Sequence, residues 1–220
     1  MKKIFTTLAL TIVFNVNAQI ATTGTDNSGS NSSAMGDNTT AIGYASTAMG
    51  RYTTAMGYAS TAMGQYTTAS ANYSTAMGRS TTASGESSTA MGIGTTASGS
   101  YSTAMGYETT ASDFGSLVIG YYNSSGSSVT GSATAFDTAN TAFVIGNGTY
   151  GNTSDAFKVM FNGDTTIGND LTVSGDVVVS SDARLKANIV SLGATLAKLL
   201  LIDGKSYTMK KDGKQKIGVL

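Results

Sequence analysis

The sequence contains no cysteine, proline, histidine or tryptophan, and only 12% of its 220 residues are charged. Without cysteine the chain can form neither a disulfide bond nor a thiolate nucleophile. Without histidine it lacks the usual imidazole base and the commonest metal ligand, so we expect no metal and no cofactor. The formal net charge of zero gives no general attraction to nucleic acid or to an acidic membrane surface. We therefore do not expect a metabolic enzyme.

The beginning of the chain predicts export. Lys2 and Lys3 precede a short apolar run at 4–16. Ala18 then offers a small residue at a plausible cleavage site. This is the arrangement of a secretory signal peptide, which we assign to residues 1–18. The apolar run is shorter than the roughly 20 residues of a membrane span, although an uncleaved anchor is the alternative, and no later segment has the composition of a membrane-spanning helix.

An uninterrupted seven-residue repeat fills the middle of the chain, from Ser33 to Asn123. Alanine occupies the second position of every unit but the last, and glycine occupies the fourth position of most. From Thr68 onward the third position alternates between serine and methionine, so the true period is fourteen residues in two unequal halves. The units are SAMGDNT, TAIGYAS, TAMGRYT, TAMGYAS, TAMGQYT, TASANYS, TAMGRST, TASGESS, TAMGIGT, TASGSYS, TAMGYET, TASDFGS and LVIGYYN.

Short strands joined by tight turns explain this repeat better than helices do. A coiled coil needs apolar residues at two positions of each heptad, whereas glycine, threonine and serine are poor helix formers. A Thr-Ala-Met strand would direct threonine and methionine to one face and alanine to the other, and the following glycine would supply the turn. Fourteen residues make a path of about 46 Å, stacked at about 4.7 Å per coil. The sequence therefore predicts an all-β parallel solenoid.

Such a thin coil encloses little. We expect its interior to contain only alanine, methionine and threonine methyl groups, and small cores stabilise a fold weakly. Several copies of the chain should therefore associate side by side and bury a second surface, although the repeat itself does not give their number.

The fifth and sixth positions vary most between units and should form solvent-facing turns. Tyrosine recurs there, either as a binding surface or as packing over the turn of the neighbouring coil. The tyrosines concerned are Tyr44, Tyr52, Tyr58, Tyr66, Tyr73, Tyr101 and Tyr107.

Residues 30–123 resemble the YadA-like head repeats of trimeric adhesins, in phrases such as STAMGRYTTAMGYASTAMG and TTASGSYSTAMGYETTAS. The resemblance implies a left-handed parallel β-roll, assembly into homotrimers, and a bacterial cell-surface or secreted protein that binds a host or matrix surface. Methionine stands where the family often has valine or isoleucine. Ala71 and Asp113 replace the turn glycine, so weaker local packing is expected there.

Two other repeat types fit less well. A calcium-binding β-roll needs aspartate within a Gly-Gly-x-Gly-x-Asp nonapeptide, and the units contain aspartate only at Asp37 and Asp113. A threonine-lined solenoid could bind ice through the Thr-Thr pairs at 53–54 and 67–68. These pairs straddle unit joints, however, and need not face one flat side.

Residues 181–189 carry the most specific motif of the chain. The stretch Ser-Asp-Ala-Arg-Leu-Lys-Ala-Asn-Ile resembles the start of the endosialidase-type intramolecular chaperone domain, a self-cleaving C-terminal domain of phage and bacterial fibres. The resemblance places the catalytic Ser–Lys dyad at Ser181 and Lys186, with cleavage between Ser180 and Ser181. A desolvated lysine can accept the proton of a serine hydroxyl. The structural alternative is a helix cap and a solvated lysine.

The remaining chain predicts a β-rich neck and a short α+β segment. Strands are expected at 141–148, 156–161 and 165–168, and again within 171–179. A helix should follow Asp182, and two strands should flank Asp212 and Gly213. The chain ends about forty residues into the motif region, so we expect it to remain uncut. The predicted segments are signal peptide 1–18, lead-in 19–32, head 33–123, neck 124–180 and truncated chaperone 181–220.

These observations favour a structural and binding protein, namely a secreted trimeric fibre whose head attaches to a surface and whose C-terminal segment aids trimerisation. The expected partners are two further copies of the chain and a matrix protein or glycan, with no nucleic acid. A phage tail-fibre-like structural protein is the alternative, because such fibres share both modules. The signal peptide argues against it, since phage fibres assemble in the cytoplasm.

Overall fold

The computed structural model describes residues 23–174, 204–208 and 215–219. These residues contain strands and turns and no helix. The chain divides into two units, Met1–Leu171 and Thr172–Leu220. The strands are β1 Ser33–Asp37, β2 Thr40–Ala41, β3 Thr47–Arg51, β4 Thr54–Ala55, β5 Thr61–Gln65, β6 Thr68–Ala69, β7 Thr75–Arg79, β8 Thr82–Ala83, β9 Thr89–Ile93, β10 Thr96–Ala97, β11 Thr103–Tyr107, β12 Thr110–Ala111, β13 Leu117–Tyr121, β14 Thr141–Asn147, β15 Asp155–Met160, β16 Thr165–Ile167, β17 Gly204–Thr208 and β18 Gln215–Val219.

Each coil of the head contains one long and one short strand. The long strands β1, β3, β5, β7, β9, β11 and β13 have five residues and pair in parallel, so that Ser33 pairs with Thr47 and Thr47 with Thr61. The short strands β2, β4, β6, β8, β10 and β12 have two residues each and form a separate six-stranded parallel sheet. We call these the long sheet and the short sheet. The all-β solenoid with a fourteen-residue coil is confirmed, and the two unequal halves of the repeat correspond to the two strand lengths.

Alanine at the second position of each unit forms the core. These side chains are fully buried from Ala41 to Ala111, and Val118 and Val144 continue the same column. The threonine or serine at the seventh position is buried as well, as at Thr53 and Ser60. Only small side chains therefore fill the space between the two sheets.

The methionines lie outside this core, contrary to the expectation that they would help to fill it. Met49 and Met63 are half-buried, and Met105 is 39% exposed. Because side chains alternate along a strand, the third position faces outward whenever the alanine at the second position faces inward. The predicted faces of the Thr-Ala-Met strand are thus correct, but the interior contains hydroxyl side chains in place of methionine.

The glycine of each long strand lies within the strand and not in the turn, which corrects the sequence interpretation. Gly50 pairs with Gly64, and their φ angles of +126° and +125° lie in a region that favours glycine. A Cβ atom at Gly64 would collide with the carbonyl oxygen of Gly78 in the next coil. The sixth position forms the turn instead, with φ of 53° at Tyr52 and 56° at Tyr66.

A loop at 124–140 closes the last coil of the head. The Asn123 side-chain Oδ1 accepts a hydrogen bond from the Thr110 amide at 2.8 Å, and its Nδ2 donates to the Thr110 carbonyl at 2.9 Å. These are the two backbone groups that a further parallel strand would pair with. The Asn123 amide therefore caps the edge of β12, which would otherwise be an open template for strand addition.

Asp113 fixes this loop to the roll. Its carboxylate is fully buried and accepts hydrogen bonds from the Thr130 amide at 2.7 Å, the Thr130 hydroxyl at 2.5 Å and the Thr141 amide at 2.7 Å. Hydrogen bonds to an ionised carboxylate are short and strong, and they offset the free energy of burying its charge. Asp113, which stands where most repeat units have glycine, thus adds contacts at this turn and does not weaken it.

The long sheet continues beyond the loop. Strand β14 pairs in parallel with β13, which places Val144 beside Val118 and Ile145 beside Ile119. Strands β15 and β16 then pair antiparallel and complete a ten-stranded sheet. The strands expected at 141–148, 156–161 and 165–168 are confirmed, whereas residues 171–174 form no strand.

In the second unit, beyond residues 172–174, the structure describes an antiparallel hairpin of β17 and β18, in which Ser206 pairs with Ile217. The two strands expected on either side of Asp212 and Gly213 are confirmed. The expected signal peptide and the helix after Asp182 lie outside the described residues. Within the parts of the chain that the structure describes, no helix has the length and hydropathy needed to cross a membrane.

Replacement of Gly64 by alanine should unfold the head. The change combines an unfavourable positive φ with a collision against the Gly78 backbone, and we expect a loss of about 3 kcal/mol or more in the free energy of unfolding. Gly151→Ala is the matched control, because its φ of +78° is also positive but nothing lies within 4 Å of the added Cβ. It should lose only about 1 kcal/mol. Equal losses in chemical denaturation would contradict the close contact between coils.

Candidate binding surface

The turns of the head form two edges that run along the stack of coils. The fifth and sixth positions are mostly exposed, as the sequence predicts. We call the turns after the long strands the long-strand edge and the turns after the short strands the short-strand edge. The long-strand edge consists of residues 37–38, 51–52, 65–66, 79–80, 93–94, 107–108 and 121–122. The short-strand edge consists of residues 44–45, 58–59, 72–73, 86–87, 100–101 and 114–115.

The outer face of the long sheet carries an apolar column. The third positions of successive long strands are in register. Each side chain is covered by its neighbours above and below, and no other described strand packs over the column. We call it the methionine column, and it consists of Met35, Met49, Met63, Met77, Met91, Met105, Ile119 and Ile145.

The outer face of the short sheet is more polar. Threonine fills its first position from Thr40 to Thr110, and serine fills the third position from Ser70 to Ser112. The ice-binding alternative needed the pairs at 53–54 and 67–68 to lie together on a surface. The first residue of each pair is fully buried, so these pairs do not form such a face.

The tyrosines of the two edges stack along the fibre and also remain exposed. The rings of Tyr52 and Tyr66 are 5.0 Å apart and nearly parallel at 2°, and those of Tyr44 and Tyr58 are 5.2 Å apart at 10°. Their exposed fractions are 41% for Tyr52 and 51% for Tyr66. Packing of tyrosine over the neighbouring turn is thus confirmed, whereas a role of these exposed rings in binding stays a prediction.

A second group of tyrosines lies where the head meets the loop. Tyr107 contacts Tyr121 at 5.8 Å and Tyr122 at 5.5 Å between ring centroids. Desolvation, followed by hydrogen bonding with Tyr107 and the nearby charge of Glu108, raises the pKa of Tyr122 above its usual value. The Tyr122 phenol is neutral at physiological pH, as an ordinary tyrosine is, and the raised pKa extends this range to more alkaline pH.

The only cationic side chains between residues 23 and 123 are Arg51 and Arg79, and both lie on the long-strand edge. Arg51 forms an exposed ion pair with Asp37 at 3.6 Å, and its guanidinium carbon lies 5.1 Å from the centroid of the Tyr52 ring. No carboxylate of the described residues lies within ion-pair distance of Arg79. From the sequence we interpreted both arginines as turn residues only, although their shared fifth position was visible in the repeat.

The sequence-predicted catalytic residues Ser181 and Lys186 lie outside the described residues, so the dyad stays a prediction. The sequence did not single out Asn123, whose hydrogen bonds to Thr110 leave no periodic signal, or Arg79, whose lack of an ion pair is visible only in the structure.

Comparisons with protein families agree with both resemblances seen in the sequence. The YadA head domain repeat matches residues 28–53, 34–60, 55–81, 83–109 and 97–123. The chaperone of endosialidase matches residues 181–220. No curated protein matches the chain. YadA-like heads form trimers and are typical of bacterial surface or secreted proteins. The chain thus joins a head of YadA-type repeats at 28–123 to a segment that matches the endosialidase chaperone at 181–220.

Proposed function

We propose that this chain is the protomer of a secreted homotrimeric fibre that attaches a bacterial cell to a surface or host matrix. The observation that carries the proposal is the methionine column, an unbroken apolar stripe on a fold whose own core contains little more than alanine. The signal peptide predicted at 1–18 and the match to YadA head repeats support export and a surface location. The signal peptide also favours a secreted fibre over a phage tail fibre.

The thin core explains why the head needs partners. A buried alanine contributes one methyl group per position, about 0.8 kcal/mol each by the usual measure for a buried carbon. The methionines are much larger, and in the single chain they cover only one another. Three chains that face one another with these columns would remove them from water together. The side chains on the outer face of the short sheet are mostly polar and would remain in solvent.

Exchange of Met77 for glutamate should separate the trimer. The third position of β7 would then place an unpaired carboxylate in the interface, which costs several kcal/mol. Ser84→Glu is the matched control, because Ser84 is the third-position residue after β8 in the same coil and is exposed. Light scattering should show a monomer or a dissociating trimer for Met77→Glu and an intact trimer for Ser84→Glu. A monomeric wild-type chain would contradict the proposal.

The two turn edges supply the surface for attachment. Their side chains differ from coil to coil on an otherwise uniform backbone, and exposed tyrosine is enriched in protein-binding surfaces. Beads coated with the trimer should be retained under flow on glass coated with extracellular matrix. Beads coated with albumin provide the baseline. Retention of the trimer-coated beads at this baseline would overturn the attachment function and leave the trimer prediction unaffected.

A second proposal concerns maturation, and the match at 181–220 carries it. We infer that Ser181 is the nucleophile and Lys186 the base of a self-cleavage between Ser180 and Ser181. The Ser181 hydroxyl attacks the Ser180 carbonyl carbon and gives its proton to Lys186. The lysine then protonates the departing amide nitrogen, and water releases the resulting ester.

The protein expressed from the whole natural gene should be cut between Ser180 and Ser181, which mass spectrometry of the products would show. Ser181→Ala should abolish cleavage by removing the nucleophile. Lys186→Arg should also abolish it, because guanidinium remains protonated and cannot act as a base. Ser191→Ala, which changes the same residue type nearby, should cleave normally. If the product of the whole gene remains uncut, the motif has only its structural role.

A further inference from the structure

The long-strand edge has a notch beside Arg79, the only cation without an ion pair among the described residues of the head. We propose that this notch binds an acidic polysaccharide whose sugar rings carry carboxylates, that is, a polymer containing uronic acid. The inference rests on the proposed attachment function and names the class of ligand for it. The notch lies over Ser80, between the ring of Tyr66 and the Glu108 carboxylate, which covers Gly94. Arg79 lies beside Ser80 in the same coil.

Backbone hydrogen bonds fix the order of these residues along the edge. The Ser80 amide donates to the Gln65 carbonyl at 2.8 Å, and the Gly94 amide donates to the Arg79 carbonyl at 2.9 Å. The sixth positions therefore follow one another coil by coil, from Tyr66 through Ser80 to Gly94. Adjacent coils are spaced by about 4.8 Å. Because the Glu108 carboxylate lies over Gly94, the side chains of Tyr66 and Glu108 are separated by about two coil spacings.

The ring of Tyr66 has one face covered and the other open. Tyr52 stacks on the first face with an interplanar angle of 2°. The next residue in the column on the other side is Ser80, whose side chain is too small to cover an aromatic ring, and Gly94 follows it. Tyr66 accordingly keeps an exposed fraction of 51%. An open aromatic face bordered by small residues suits the apolar face of a sugar ring.

Arg79 selects an anionic sugar. It follows Gln65 at the fifth position, in register with it, and is exposed. A guanidinium group binds a planar carboxylate through two parallel hydrogen bonds. Arg51 is less available, because Asp37 pairs with it. The Glu108 carboxylate lies over Gly94 and can accept hydrogen bonds from sugar hydroxyl groups, while Gln65 can donate or accept them.

The two edges differ in charge. On the long-strand edge, Arg79 offers a guanidinium without an ion pair among the described residues. The short-strand edge also has stacked tyrosines, but it has no cation and carries Glu86. An acidic polymer should therefore prefer the long-strand edge.

Retention of the full chain on immobilised hyaluronan, with dextran as the neutral polymer, tests the proposal. Wild type should be retained on hyaluronan and not on dextran, and added salt should weaken the binding. Arg79→Gln and Tyr66→Ser should each lower the apparent affinity by about tenfold, because the first removes the charged hydrogen bonds to the carboxylate and the second removes the aromatic face under the sugar ring. Arg51→Gln and Tyr73→Ser are the matched controls and should stay within about twofold of wild type.

Three results would overturn this inference: no preference for hyaluronan over dextran, equal losses for Arg79→Gln and Arg51→Gln, or equal losses for Tyr66→Ser and Tyr73→Ser. The variants change exposed side chains, so light scattering and circular dichroism should confirm that each remains folded and associated as the wild type is. Beads that attach to matrix without any binding of the chain to hyaluronan would refute the ligand class alone. Binding to hyaluronan without matrix attachment would refute the broader attachment function alone.

Discussion

The contact between glycine backbones of successive coils determines the geometry of the whole head. The φ angles of these glycines, from Gly36 to Gly120, lie between +102° and +128°, and a Cβ atom at any of them would collide with the next coil. A slip in register would bring a side chain into this contact, so the spacing of fourteen residues is retained. The side chains at all remaining positions of the repeat consequently stack in columns. The residue type of each column then decides whether it is buried in the core or exposed on an outer face or an edge.

This regularity leaves the core weak. The buried hydroxyl of Thr53 and its equivalents in the neighbouring coils has no hydrogen-bond partner among the described residues. In the serine column some hydroxyls donate to a turn carbonyl, as Ser74 does to Ala71 at 2.6 Å. A buried hydroxyl without a partner opposes folding by about 1–3 kcal/mol. The backbone ladders must therefore supply much of the stability, and the trimer that we propose would add the burial of the methionine column.

The sequence predicted the coil well and the roles of two residue types poorly. Periodicity identified the alanine column and the exposed turns, because every coil repeats the same environment. It could not locate the positive φ angles, since both Gly50 and Tyr52 adopt them and only glycine is expected to do so. It also could not decide that methionine faces outward, because a large apolar side chain favours burial in any protein, including burial against another chain. Hydrogen bonds across long loops, such as Thr141 to Asp113, leave no periodic signal.

The two sheets of the head end in different ways, and this difference joins the head to the strands beyond the repeats. The short sheet stops at β12, where the Asn123 amide replaces a further strand. The long sheet does not stop, because β14 pairs with β13 and places Ile145 beside Ile119. The apolar column on its outer face therefore continues past the last repeat without a break. A second chain that docks along the methionines of the head would also meet Ile145, so the contact that we propose between the heads would extend into the segment after the repeats.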